Sequence, residues 1–238
     1  MFQTDPFSLI VVLVGLSLIP FIAMIATSYL KIVVVMSLIR NALGIQSIPP
    51  NMVVNALALI LTFYIMAPVA SESWQIIESK AESRRIARQA EIQKAGNQAA
   101  TLPESPAINF STADMAEAAE PFRRFLSEHT APRERAFFVK TAETLWSKDG
   151  EPAKVDAEGF WILLPSFCVS ELTKAFQIGF LVYLPFIAID IIVSNILLAM
   201  GMMMVSPVTI SLPFKLLLFV MVNGWTLLVQ GLVKGYLL

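Results

Sequence analysis

Four ionisable side chains sit where so apolar a stretch of chain should hold none. Glu171, Lys174, Asp190 and Lys215 each lie inside a hydrophobic run within residues 159–238. A charge facing lipid costs roughly 2.5–3.5 kcal/mol even on the lenient insertion scale, so each needs a partner, a protein interior or a water-filled cavity. Ser166, Ser170, Lys174 and Gln177 recur at helical intervals, with Glu171 and Thr173 beside them, giving a polar stripe along an apolar helix. Two readings stand: a face turned to water or another subunit, or internal pairing of Glu171 with Lys174 at i, i+3. Asp190, in FIAIDIIVSN, has no cation near it in sequence. It is either a proton-relay carboxylate or a buried acceptor at an interface.

The second unusual stretch is LLAMGMMMVSP, residues 197–207. Adjacent helical residues point about 100° apart, so Met202, Met203 and Met204 cannot share one helix face. The plain reading is three apolar residues touching lipid or neighbouring helices. Against it, Gly201 on one side and Ser206-Pro207 on the other are residues that loosen or end a helix. Thioethers are the most adaptable apolar fillers, with three rotatable bonds each. Repeated around a symmetric ring, an irregular methionine segment would form a soft constriction able to deform around a passing chain and close against ions.

Other chemistries find no residues to carry them. There is no G-x-x-x-x-G-K-[ST] loop, no H-E-x-x-H, no C-x-x-C and no G-x-S-x-G. His129, the one histidine, lies among charged residues and is expected to be solvated. Cys168 is alone, so an intrachain disulfide is excluded. The expectation is a non-enzyme without cofactor or metal. A net charge of −1 gives no electrostatic case for nucleic acid.

The elements that must position these residues follow from composition. The chain has 238 residues, is 56% hydrophobic and has a mean hydropathy of +0.70. Its charges are segregated: residues 72–158 hold 27 of the 35. This is a membrane-type, lipid-contacting polypeptide interrupted by a hydrophilic insert. Three regions result: hydrophobic helices over 1–71, a helical insert over 72–158, and hydrophobic helices carrying the methionine loop over 159–238. The fold class is all-α. The N-terminus enters apolar residues without a basic lead, which reads as a retained hydrophobic segment.

Each hydrophobic half is too long for one perpendicular span. Pro6–Gly44 and Phe160–Met200 would each be about 60 Å as straight helices, against a hydrocarbon core of about 30 Å. They must bend, turn back or leave the bilayer. Pro20 and Ala26-Thr27-Ser28 are the candidate breaks in the first, and Pro49-Pro50-Asn51 punctuates the start of the next run. Within the insert, 78–98 reads as a solvated helix, 102–111 as a loop, and 117–148 as helix with apolar stripes at Phe122, Phe125 and Leu126, then Phe137 and Phe138. Lys31 and Arg40, assigned to the first connection, would put it in the cytoplasm and the insert outside. Gly231 and Gly235 form a G-x-x-x-G pair that permits close helix packing.

The C-terminal half resembles the FliP/SctR family, inner-membrane core proteins of the bacterial type III secretion export apparatus. The resemblance is carried by SEL-x-x-AF-x-IGF (Ser170 to Phe180), LPF-x-x-ID (Leu184 to Asp190), MGMMM (Met200 to Met204) and SLPFKL (Ser211 to Leu216), in order and spacing. IPPN-x-x-x-x-x-LAL-x-LTF-x-x-M-x-P (Ile48 to Pro68) and PFRRFL extend it over most of the chain. Ser206 and Asn223 depart from the flagellar pattern, as does extra length around 78–113, which favours the virulence injectisome branch. The resemblance implies a ring-like or helical homopentamer built with two smaller export-apparatus membrane proteins (the SctS and SctT classes), largely above the bacterial inner membrane plane; the outside position read from Lys31 and Arg40 would then be the periplasm. It implies a closed entry pore for unfolded secreted proteins, with Gly201, Met202, Met203, Met204 and Pro207 at the gate. It also implies Glu171 and Lys215 as candidates for an intersubunit ion pair, with Lys174 and Asp190 as further buried polar groups. The alternatives are a proton channel or secondary transporter using Asp190, and a non-conducting assembly scaffold.

Overall fold

A computed structural model describes residues 6–45, 49–95, 112–147, 151 and 153–237. The regular structure among the described residues is all helical, with no strand. In chain order the helices are α1 (Pro6–Ile25), α2 (Tyr29–Ala42), α3 (Asn51–Ala95), α4 (Thr112–Ala118), α5 (Glu120–His129), α6 (Pro132–Leu145), α7 (Phe160–Ala199), α8 (Pro207–Met221) and α9 (Gly224–Lys234).

Helix α2 is the centre of the bundle. Its residues Ile32, Val35, Met36, Ile39, Ala42 and Leu43 recur at three- and four-residue intervals and are all buried. They pack with Val54, Ala58 and Leu61 of α3, Ala175 and Phe186 of α7, Phe219 of α8 and Leu232 of α9. The close approach of α7 to α2 is eased by Gly179, where an added Cβ would crowd the Leu38 side chain, lying 3.2 Å from its Cβ. The first hydrophobic block does bend, by 58°. The bend falls at residues 26–28, while Pro20 lies within α1.

Two helices, α3 and α7, are long and apolar enough to cross a membrane, and the bent pairs α1–α2 and α8–α9 raise that to four. Helix α7 runs 40 residues through Pro165 and Pro185 without ending. At 1.5 Å per residue that is about 60 Å, twice the hydrocarbon thickness. Helix α3 continues across residue 71, so the change from apolar to charged composition happens along one 45-residue helix.

The hydrophilic insert is packed onto this frame. Phe125 and Leu126 of α5 form a second core with Met66 of α3 and Leu163 and Phe167 of α7, and Phe122 packs against its edge. Phe137 of the other expected stripe is exposed within the single chain. Ion pairs reinforce the join: Arg124 to Glu72 and Arg123 to Glu158 at 3.2 Å. Arg123 also forks onto both oxygens of Glu120 at 2.8 Å, which holds that carboxyl below its ordinary range. The expected loop at 102–111 lies outside the described residues.

Candidate functional site

Two buried polar nodes and one exposed turn lie along α7. The first node surrounds Glu171, whose side chain has no exposed surface. Lys31 of α2 contacts its carboxylate at 3.2 Å and is itself 3% exposed. Lys174, one turn on, contacts the other oxygen at 3.0 Å. Tyr236, just beyond α9, donates its hydroxyl to Glu171, and the Lys31 ammonium lies 3.4 Å from the centre of its ring. That arrangement combines a charge pair with a cation–π contact, both strengthened by exclusion of water.

The node also grips the insert. Lys174 donates to the His129 carbonyl at 2.7 Å, and the Ala131 amide donates to the Ser170 hydroxyl at 2.9 Å. Both acceptors and donors here are the loose ends of α5 and the turn to α6, where backbone groups lack helical partners. His129, expected to be solvated, is instead half-buried, its ring between Phe125 at 4.5 Å and Tyr236 at 5.1 Å. Lys31, assigned from sequence to a solvent-facing connection, is buried inside α2, so it is not a loop charge for setting orientation.

The second node lies about 28 Å further along α7, nineteen residues at the helical rise. Asp190 accepts from Lys215 at 2.6 Å and from the Ser211 hydroxyl at 2.6 Å. Ser211 and Lys215 are four apart, on one face of α8, so a single carboxylate pins two turns of that helix. Lys215 also donates to the Ala42 carbonyl at 3.3 Å. Ala42 is the last residue of α2, where the helix dipole favours a cation. The cation missing near Asp190 in sequence is thus supplied from 25 residues away. Removing the charge by Asp190→Asn should cost about 1–3 kcal/mol, because it strands a buried ammonium while Asp190 itself is partly exposed. A double-mutant cycle with Lys215→Met would read the pairing; additive losses would show that the two do not interact.

Above this node α7 and α8 form a hairpin, and the methionine run is its turn. Gly201 has a φ of +72°, a conformation that glycine adopts without strain. The Met202 amide reaches back to the Leu197 carbonyl at 2.9 Å and the Gly201 amide to Leu198 at 3.0 Å. Those paired bonds form the glycine C-cap known as the Schellman motif, which ends α7. Ser206 is extended and Pro207 occupies the first turn of α8, so the chain restarts as helix only there. Between the two ends Met202 is 48% exposed, Met203 81% and Met204 fully. No contact within the chain accounts for three such apolar side chains in a row.

Within one chain, then, Glu171 is held by Lys31, Lys174 and Tyr236, and Lys215 by Asp190 and Ser211. The expected stripe on α7 divides: Ser166 and Ser170 are buried, whereas Gln177 is exposed. Lys31 and Tyr236 were not picked out in the sequence as site residues. Lys31 was legible as a lone charge in a hydrophobic helix; Tyr236, among ordinary C-terminal residues, carried no signal. Asn223 has φ +51°, and asparagine is among the few residues other than glycine that tolerate it. It sits at the 59° break between α8 and α9. Among the described residues there is no group of three or more His, Cys, Asp or Glu placed to hold a metal.

Comparison with known proteins gives one consistent result. The FliP family pattern matches residues 12–232. "Yop proteins translocation protein R" of Yersinia pestis is 50% identical over 232 residues, covering 98% of this chain and 97% of that protein. "Hypersensitivity response secretion protein HrcR" of Ralstonia nicotianae is 44% identical over 229 residues, 96% of each chain. "Virulence protein YscR" of Salmonella typhimurium is 42% identical over 236 residues, 98% of this chain and 97% of that one.

Proposed function

The chain belongs to the FliP family, and from that premise we propose that it is a pore-forming, non-catalytic subunit of a type III secretion export gate of the injectisome type. It conducts unfolded proteins across the bacterial inner membrane, and Met202, Met203 and Met204 form the gasket. The observation that carries this reading is the methionine turn itself. An apolar, unbranched triplet is held out at the end of a helical hairpin, on backbone whose helix has been ended on both sides. Folding gains nothing from exposing it, so its use lies in what approaches it. Several copies arranged around an axis turn one such loop into a ring that is apolar, deformable and closed to ions at rest.

The two nodes support the same reading. Charges too costly for lipid are neutralised inside the protein, and helices twice the bilayer thickness fit a subunit assembled with copies of itself and the SctS- and SctT-class proteins, partly above the membrane. With Lys31 buried, Arg40 in the last turn of α2 is the basic residue left to favour a cytoplasmic first connection, which would make the insert periplasmic. The proton-relay reading of Asp190 is disfavoured by its geometry, since both carboxylate oxygens are engaged, by a lysine and a hydroxyl of the same chain. A scaffold reading leaves the exposed turn without a use. Substrate contact separates the two. A photo-crosslinker at position 203, with a secretion substrate stalled in transit, should capture that substrate. Crosslinks confined to insert positions such as Phe137 would point to a scaffold.

A further inference from the structure

The methionine turn is also the most oxidisable surface this chain places at a functional position, and we propose that Met203 and Met204 are sites of reversible sulfoxidation that opens the gate to ions. The proposal rests on the gasket reading above and adds a chemical control to it. The oxidant class is a peroxide. Hydrogen peroxide transfers one oxygen atom to the thioether sulfur, whose lone pair attacks the O–O bond; sulfur is oxidised by two electrons, the peroxide is reduced, and water leaves. Susceptibility follows access to the sulfur, and methionine sulfoxide reductases return the sulfoxide to thioether with electrons from a dithiol, which is oxidised to a disulfide while the oxygen leaves as water.

Accessibility is graded sharply along the chain. Met36 is 1% exposed and Met66 is 9%, both within the cores. Met203 is 81% exposed and Met204 fully, on backbone outside any helix. A seal at the narrowest point of a conduit still meets water from one side, and peroxide is little larger than water. Met52 and Met221 are also exposed, but on α3 and α8, the apolar helices whose outward faces suit lipid. Met115, exposed on α4 of the insert, supplies an internal standard for a water-facing thioether.

The consequence follows from the change in polarity. A thioether is apolar and flexible; a sulfoxide is polar, chiral and a strong hydrogen-bond acceptor. A hydrophobic constriction holds ions back by being dry, and polar S=O groups around the ring would wet it. The same exposure that suits these residues to close around a passing chain therefore makes the closure redox-sensitive.

The experiment uses the assembled complex, with its partner membrane proteins, in a planar bilayer and in parallel in solution. Graded hydrogen peroxide should add about 16 Da, one oxygen atom, to the peptide segments carrying Met203 and Met204 at a rate like that of Met115 and several-fold above Met36 and Met66. Ion conductance should rise in step, and a sulfoxide reductase pair should reverse both. Met115→Leu, remote from the turn, should leave the conductance response unchanged. Modification of Met203 and Met204 no faster than of Met36 would overturn the proposal. So would full oxidation at constant conductance. If alanine replacement of the three methionines does open the complex, that failure belongs to the redox step alone. If alanine replacement is silent too, the gasket reading has failed with it.

Discussion

Replacing Glu171 by leucine is expected to lower the stability of the detergent-purified protein by about 3–5 kcal/mol, the usual cost of leaving one member of a buried ion pair behind. Lys31 is the reason. Its ammonium is almost fully buried, and without Glu171 its remaining close neighbour is the Tyr236 ring. The Tyr236 hydroxyl loses its close acceptor at the same time, keeping only the Ser28 carbonyl at 3.5 Å. Lys174 suffers less, being partly exposed and still bonded to the His129 carbonyl. Adding Lys31→Met to Glu171→Leu should recover most of the loss, because two apolar groups of similar length can replace a buried pair at little cost. Unfolding by denaturant, followed through the exposed tryptophans, would read both variants. A single variant as stable as the parent, or a double variant no better than the single, would show that this node does not hold the helices together. The node joins α2, α7, the chain end and the insert, so its loss should also free the insert to proteolysis before the apolar helices.

Replacing Met202, Met203 and Met204 together by alanine should leave the subunit assembled but make the complex leaky to small ions. The separation of effects follows from exposure. Surface substitutions away from packed contacts usually change stability by no more than about 0.5 kcal/mol, and these side chains touch little within the chain. The C-cap at Gly201 and the helix restart at Pro207 depend on backbone conformation and survive the change. On the gasket reading, what alanine removes is the long apolar stem proposed to fill the opening. Conductance of the assembled complex is the direct measurement. Background conductance combined with normal secretion would end the gasket reading. Restoring methionine at one position at a time would then identify which thioether carries the seal.

Several features could be read before any coordinates. The all-α class follows from apolar runs too long for strands, and the segregation of charge marks the insert. Gly201 and Pro207 predict the ends of the helices flanking the methionine turn because each acts on its own backbone. Glu171 with Lys174 is legible for the same reason, as residues one helical turn apart must be neighbours. The limits of that reading are equally physical. The stripe Ser166, Ser170, Lys174, Gln177 shares a face of α7, but which part of the face is covered depends on where α5 and α6 end.

Local chemistry along the chain therefore determined helix, break, insert and the irregular thioether segment, and motif order placed the chain in its family; that the thioethers stand exposed came from the structure. Only the tertiary structure decided the partners. Lys31 meets Glu171 across 140 residues, Asp190 meets Lys215 across 25, and Tyr236 closes on a carboxylate 65 residues away. Periodicity fixes which side of a helix a charge occupies, but not which other helix faces it. That choice is made by the packing of α2 at the centre of the bundle, where a buried charge without an opposite would be too costly for the fold to persist.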